Sequence, residues 1–286
     1  MRKISYLFYK ILRLLDFFFK IFKKDGVLIW FNDFINKDFY ITKNINSEKV
    51  IFFTPNQIIK WRVDTLFTKE PETIEWINNF KSKKNKITFW DIGANIGLYS
   101  LYASKIHNQI EVISFEPSTS NLRVLSRNIS INKMNKKISI CQIPLGNYDK
   151  ANLTMHESDF TEGWSMNTFG KPINFEGDLF ESKQKYNIFG TSIDFLLSNK
   201  FYNTPDYLKI DVDGIEDEIL LGGEKLLSDH KLKSISVELN ENFKSQFEKV
   251  NILMKKHSFQ FKQKKHAKIF DKNNKFSSVY NYIFER

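Results

Sequence analysis

Asp91, Glu116 and the pair Asp211 and Asp213 are the residues of this chain whose type and placement could do chemistry, because each follows directly on an apolar run. Asp91 opens the turn Asp91-Ile92-Gly93-Ala94-Asn95-Ile96-Gly97, and Glu116 comes about 20 residues beyond it, the spacing that ribose recognition uses in sheet-and-helix folds. A glycine turn lets backbone approach a ligand closely, and a carboxylate on the next strand can accept both hydroxyls of a ribose. Together they imply a nucleoside-containing ligand. Dinucleotide sites use G-x-G-x-x-G so that helix amides hold a pyrophosphate. Here the pattern is Asp-x-Gly-x-Asn-x-Gly, and an acid at the start of the turn repels a diphosphate while attracting a cationic sulfonium. The cofactor expected on these grounds is S-adenosylmethionine, with Asp91 orienting its ammonium, Gly93, Asn95 and Gly97 lining the turn, and Glu116 holding the ribose.

Methyl transfer from a sulfonium is an in-line displacement, so alignment supplies most of the catalysis. A hydroxyl acceptor still needs a base to take its proton. Asp211 is the first candidate for that base or for acceptor orientation, with Lys209 and Glu238 as neighbours. Asp213 suits equally well the cap of a helix starting near Glu216. A rival reading makes Asp211 and Asp213 the ligands of a divalent ion on a nucleotide-sugar diphosphate, as in metal-dependent glycosyltransferases; it leaves the glycine turn and Glu116 without a role. A third reading keeps the fold as a non-catalytic cofactor-binding module. Of the five histidines, His156 falls nearest a rim and no two have ligand-like spacing, so no metal site is expected. Trp164 and Met166 read as loop packing rather than acceptor contacts.

The elements that must position these groups alternate. Ile87–Ile92, Ile110–Phe115, Ile138–Leu145, Tyr207–Val212 and Leu232–Leu239 read as strands. Leu98–Ile106, Ser118–Ile131 (Ser118 as N-cap), Ser192–Ser198 and Glu216–Leu227 read as the helices between them. Near-continuous apolar strands alternating with helices mean a parallel sheet covered on both faces, whose ligands sit outside the carboxyl ends of the strands. Upstream, 25 to 66 reads as a loosely strand-like lead-in, with Val50–Phe53 the best strand and Thr54-Pro55-Asn56 a turn. A helix follows at Pro71, with Thr68 or Glu70 as its cap. Ala151 to Phe189 breaks the rhythm and is expected to form a hairpin and loop over one edge. Late strands are expected around Phe259–Phe261, Ala267–Phe270 and Tyr280–Phe284.

Phe89-Trp90-Asp91-Ile92-Gly93-Ala94-Asn95-Ile96-Gly97, Phe115-Glu116-Pro117, Leu208-Lys209-Ile210-Asp211-Val212-Asp213-Gly214 and Val237-Glu238-Leu239 closely resemble the FkbM family of methyltransferases. Lys69-Glu70-Pro71-Glu72-Thr73-Ile74-Glu75-Trp76 also resembles the helix that precedes the glycine turn in one branch of it. The resemblance spans roughly residues 50 to 240. It implies an α/β class I (Rossmann-like) fold with a seven-stranded, mostly parallel sheet, helices on both faces and an antiparallel last strand. It also implies O-methylation, often of sugars or other secondary metabolites, and adds Glu70 to the cofactor set. Asp213 departs from the Glu that many relatives carry. The chain then divides into an amphipathic helix (1–24), a lead-in and helix (25–80) and the methyltransferase domain (81–286) with an insertion at 151–189. Acceptor choice is expected to reside in the first residues and in that insertion.

A net charge of +10 draws attention to nucleic acid, but the lysines fall in short Lys/Asn runs such as Lys81–Lys86 and Asn132–Lys137 that suit solvated loops. The Asn- or Asp-Pro-Pro-aromatic loop of base N-methylation is absent after Lys209–Asp211. A small-molecule or glycan acceptor is expected instead. The lone Cys141 suits a buried thiol in a reducing compartment. Between Tyr6 and Phe22, Lys10, Arg13, Asp16 and Lys20 share one helical face, and Leu7, Phe8, Ile11, Leu14, Leu15, Phe18 and Phe22 cover the rest. The interruptions are too many for a spanning helix, and no cleavage signal follows. Either this helix lies in a membrane interface, or it packs on its own domain or on a second subunit as in a homodimer. The location expected is the cytoplasm, with peripheral contact at the inner membrane face.

Overall fold

The computed structural model describes residues 1–22, 26–81, 86–266, 271 and 275–286. The central sheet is built from runs that bury both faces. β3 (Ile87–Ile92) is buried at every position, with alternate residues turned to opposite sides: Phe89 joins one core cluster and Trp90 the other. β4 (Ile110–Phe115) and β5 (Ile138–Cys141) lie on one flank of β3, and β9 (Tyr207–Ile210) and β10 (Ser234–Asn240) on the other, all parallel. β12 (Val279–Glu285) runs antiparallel between β10 and β11 (Gln260–Lys265). The strand order β11-β12-β10-β9-β3-β4-β5 is the seven-stranded arrangement of class I methyltransferases. The chain leaves β3 toward β5 and returns on the opposite side at β9, so the order reverses between β3 and β9. That reversal is where ligands bind.

One face is covered by α4 (Pro71–Asn78), α5 (Leu98–Ile106) and α6 (Thr119–Ile131), and the other by α7 (Ile193–Ser198), α8 (Glu216–Leu221), α9 (Glu224–Ser228) and α10 (Lys244–Lys256). Ser118 caps α6 by accepting from the Asn121 N–H at 3.4 Å, as its position predicts. The 151–189 segment folds as a three-stranded antiparallel sheet, β7-β6-β8, of β6 (Ala151–Glu157), β7 (Asn167–Phe169) and β8 (Gln184–Gly190).

Several elements differ from expectation. The lead-in is not mainly strand: α2 (Val27–Ile35) and α3 (Gln57–Asp64) flank a hairpin of β1 (Tyr40–Ile45) and β2 (Glu48–Phe53). α2 is apolar at seven of its nine positions, a run that a buried strand would also show, and the Thr54–Asn56 turn is the start of α3, with Asn56 accepting from the Ile59 N–H at 2.9 Å. Glu70 is the N-cap residue of α4, but its side chain makes no cap bond. The helix expected over Glu216–Leu227 is broken at Gly222-Gly223, where a Cβ on Gly222 would stand 2.1 Å from the Gly146 carbonyl. Asp213 does not cap α8; Ile215 occupies that position without a side-chain bond. α10 was not anticipated by the pattern. The strand expected at Ala267–Phe270 and most of the Lys81–Lys86 run lie outside the described residues. α1 (Arg2–Ile21) packs against α2 and leaves most of its surface in solvent. Among the described residues no helix is long and apolar enough to cross a membrane.

Candidate functional site

The tips of β3 and β9 touch. Gly93, at φ +82°, carries no Cβ because one would lie 1.8 Å from the Asp211 carbonyl oxygen. The glycine therefore serves the approach of two strand ends before it serves a ligand. Its N–H and that of Ala94 donate to the Phe115 carbonyl at 3.0 Å each, joining the turn to the end of β4. Asn95 adopts φ +50°, a conformation Asn tolerates better than most residues, and its N–H donates to Glu116 Oε2 at 2.7 Å. Glu116 Oε1 accepts from the Ser118 N–H at 2.9 Å. Burial pushes the Glu116 carboxyl up to about 8 despite these donors. Gly97, at φ +84°, starts α5, where a Cβ would meet Leu125 and Leu101.

Three adjoining chambers open on this junction. The first is lined by Gly93, Asn95, Glu116, Trp164, Asn167 and Asp211 among others. The second is lined by Glu70, Gly93, Asn95, Tyr99, Lys209 and Asp211 among others. The third lies between α3–α4 and the last strand, with Trp61, Glu72, Phe175, Asp213, Glu238 and Asn281 in its wall. Asn95 and Asp211 belong to the first two, Arg62, Lys69 and Glu70 to the second and third, and Ser165 and Asp213 to the first and third.

Charge is concentrated where the chambers meet. Lys209 donates to Asp211 Oδ2 at 2.6 Å and lies 4.0 Å from Glu70 Oε2, while Lys69 donates to Glu70 Oε1 at 2.6 Å. Burial works to raise the Glu70 carboxyl, but Lys69 and Lys209 outweigh it and hold it at about 2. Burial alone would lower the Lys209 pKa, and Asp211, Glu70 and Asp91 raise it instead. The Glu238 carboxylate has neither a hydrogen bond nor an ion pair among the described residues; burial, then Asp211, push it well above the carboxylate range. Burial and the nearby Asp211 also raise Asp213, to about 6. Glu70, Asp211 and Glu238 are, among the described residues, the one group of three acids close enough to share a cation. Two lysine ammoniums already stand beside two of those carboxylates. Asp213 is not in that group; its Oδ2 accepts from the Met166 N–H at 2.6 Å.

Of the residues singled out from sequence, Gly93, Asn95 and Glu116 line the first chamber, and Glu70, Lys209 and Asp211 the second. Glu238 lines only the third. Asp91 stands behind the wall, 1% exposed, with Oδ2 accepting from Ser100 Oγ at 2.6 Å and Oδ1 without a partner. Its burial raises its pKa, and Lys209 counters that. The acids that reach the second chamber's surface are Asp211 and Glu70. His156 bonds Ser182 at 2.9 Å on the insertion sheet. Trp164 lines the first chamber, and its carbonyl accepts from Asn95 Nδ2 at 3.1 Å and Asn121 Nδ2 at 3.3 Å.

Sequence reading missed Tyr99, Asn121, Glu72 and Asn281. Asn121 and Tyr99 lie in the first turns of α6 and α5, the helices behind the two recognised strand ends, and that placement was a usable signal. Glu72 and Asn281, 209 positions apart yet joined by a 2.8 Å bond, offered none.

The first two chambers fit S-adenosylmethionine. Asn95 Oδ1 and Asn167 Oδ1 are buried in the wall of the first without a donor, Glu116 lies beside them, and the second pairs Asp211 and Glu70 for a cationic amino-acid end.

A family model described as Methyltransferase FkbM domain matches residues 91–261. Among curated proteins, Methyltransferase sdnD from Sordaria araneosa is 48% identical over 42 residues, 15% of this chain and 16% of that protein. The match thus spans about a sixth of that relative's length. Similar solved structures include a precorrin-6y C5,15-methyltransferase from Geobacter metallireducens (12% identity, TM-score 0.44, covering 76% of this chain and 87% of that one). Another is an S-adenosylmethionine-dependent methyltransferase from Aquifex aeolicus (12% identity, TM-score 0.41, covering 79% and 95%).

Proposed function

This chain belongs to the FkbM family of S-adenosylmethionine-dependent methyltransferases, and from that premise we propose that it methylates a hydroxyl of a sugar or glycan in the third chamber. The observation that carries the reading is the wall of that chamber. Glu72 Oε2 and Asn281 Oδ1 are buried acceptors without donors, and a buried polar atom left unpaired costs about 1–3 kcal/mol. Both residues line the chamber together with Trp61 and Phe175. A ring with several hydroxyls supplies donors at its edges and an apolar face for the aromatics.

When bound, the cofactor supplies an electrophilic methyl group on a sulfonium. The residues around it align and neutralise. Glu116 and Asn95 would hold the nucleoside end. Asp211, oriented by Lys209, and Glu70 would face the cationic end. Glu238 would take the proton that the acceptor hydroxyl gives up. Asp211 lines the cofactor chambers rather than this one and is already bonded to Lys209, so Glu238 is the better placed base. A carboxyl with a raised pKa is also the stronger proton acceptor.

Incubating the chain with methyl-labelled S-adenosylmethionine and pools of free, nucleotide-linked and lipid-linked sugars tests the reading. Label in a sugar ether is the expected result. Label found only on amines or nucleic acid, with all sugar pools inert, overturns it.

A further inference from the structure

We propose that α1 and α2 form an anchor that lies in the interface of an anionic lipid surface, an inference that does not rest on the acceptor assigned above. The two helices make a built unit. Asp16, the one acid of α1, is its one buried residue; it accepts from the Leu28 N–H at 3.0 Å and pairs with Lys20 at 2.9 Å. A Cβ on Gly26 would stand 2.4 Å from Asp16 Oδ1, so the glycine lets α2 begin against that carboxylate.

What this leaves outside is one-sided in both polarity and charge. At 100° per residue, Leu7, Phe8, Ile11, Leu14, Leu15 and Phe18 share one face, and each is between 43% and 70% exposed. Lys3, Lys10, Arg13 and Lys20 share an adjoining face, interleaved with Tyr6, Phe17 and Ile21. The only negative charge of α1 is turned into the junction with α2, so the exposed charges of the helix are all positive. Trp30 and Phe34 of α2, 54% and 60% exposed, extend the apolar surface with the kind of side chain that suits a headgroup boundary. An apolar face flanked by the cations of α1 fits acyl chains beneath phosphates, and Asp33 is the one exposed acid that α2 adds. A purely apolar groove on a partner protein would leave the basic face without a counterpart.

The experiment is flotation of the full chain with vesicles of phosphatidylcholine alone or with roughly a third phosphatidylglycerol. Two variants accompany it: Leu14→Glu/Phe18→Glu, and Lys10→Gln/Arg13→Gln. Both sites are solvent-exposed, and cofactor titration checks that each variant stays folded. Expected are tenfold or stronger partitioning into the anionic vesicles, its loss with the glutamates, and its weakening in high salt or with the glutamines. Absence of vesicle binding overturns the proposal, as does equal binding to both vesicle types. So does a dimer, seen by sedimentation, that the glutamates dissolve while leaving lipid partitioning unchanged.

Discussion

The Lys209 ammonium donates across 2.6 Å to the Asp211 carboxylate, two residues further along at the tip of β9. Lys209 is 1% exposed, and Glu70 and Asp91 add to its negative surroundings. Removing the cation alone leaves buried carboxylates uncompensated, so Lys209→Met should cost about 3–5 kcal/mol in urea unfolding. Adding Asp211→Asn should recover part of that loss. A double variant no more stable than the single one would show that the pair is uncoupled.

Glu116 tests the cofactor assignment. Its carboxyl titrates near 8 because of burial, and ribose hydroxyls bond best to the ionised form. Affinity for S-adenosylmethionine should therefore rise as pH increases from about 6.5 to 8.5. Glu116→Gln should weaken binding about 10- to 100-fold, roughly 1.4–2.8 kcal/mol, and flatten that slope. Calorimetric titration at several pH values reads both effects.

A base must be ionised to work. Burial and Asp211 raise the Glu238 pKa, so turnover should climb with pH through that raised value and level off above it. Glu238→Gln should lower kcat about 10²- to 10⁴-fold and remove the ascending limb, with cofactor affinity little changed. A variant that keeps kcat within about threefold, below the contribution expected of a general base, together with an intact limb, removes Glu238 from the role.

Glu216 is a stability group rather than a site group. Its Oε1 accepts from the Val212 and Gly214 N–H groups at 3.2 Å each and its Oε2 from Gln246 at 2.8 Å, yet burial still pushes its carboxyl up to about 8. A raised folded-state pKa means that its stabilisation is complete below the unfolded value and is lost as pH rises toward 8. Glu216→Gln should flatten the decline in stability between about pH 5 and 9, an effect on the order of 2–4 kcal/mol. Chemical denaturation across that range would show an unchanged decline if another group is responsible.

The parts of the fold legible in sequence are those with a strong local period or a strong terminator. Ile87–Ile92, Leu98–Ile106 and Ile110–Phe115 match the observed elements residue for residue, because fully buried strands read as unbroken apolar runs and Gly97 punctuates the turn. α2 is apolar at seven of its nine positions and α3 spans only eight residues, so tertiary packing decides them. The nucleoside half of the site was readable because Gly93, Asn95 and Glu116 lie at consecutive strand ends. The third chamber was not, since Trp61, Glu72, Phe175 and Asn281 come together only because the last strand lies between β10 and β11. Glu238 was found through its motif, but the motif could not say that it faces a different chamber from Asp211.

The segment carrying Trp164, Ser165 and Met166 is fastened at two ends. Asn95 and Asn121 grip the Trp164 carbonyl on the nucleoside side, and Asp213 grips the Met166 amide on the other. Ser165, between them, faces both ligands' compartments. A mutation in this short stretch that reshapes the room for a new acceptor shifts the hold on the methyl donor too. Acceptor range and donor affinity are therefore expected to drift together in variants of this enzyme, and retargeting it will go further through Trp61 or Phe175 than through the shared bridge.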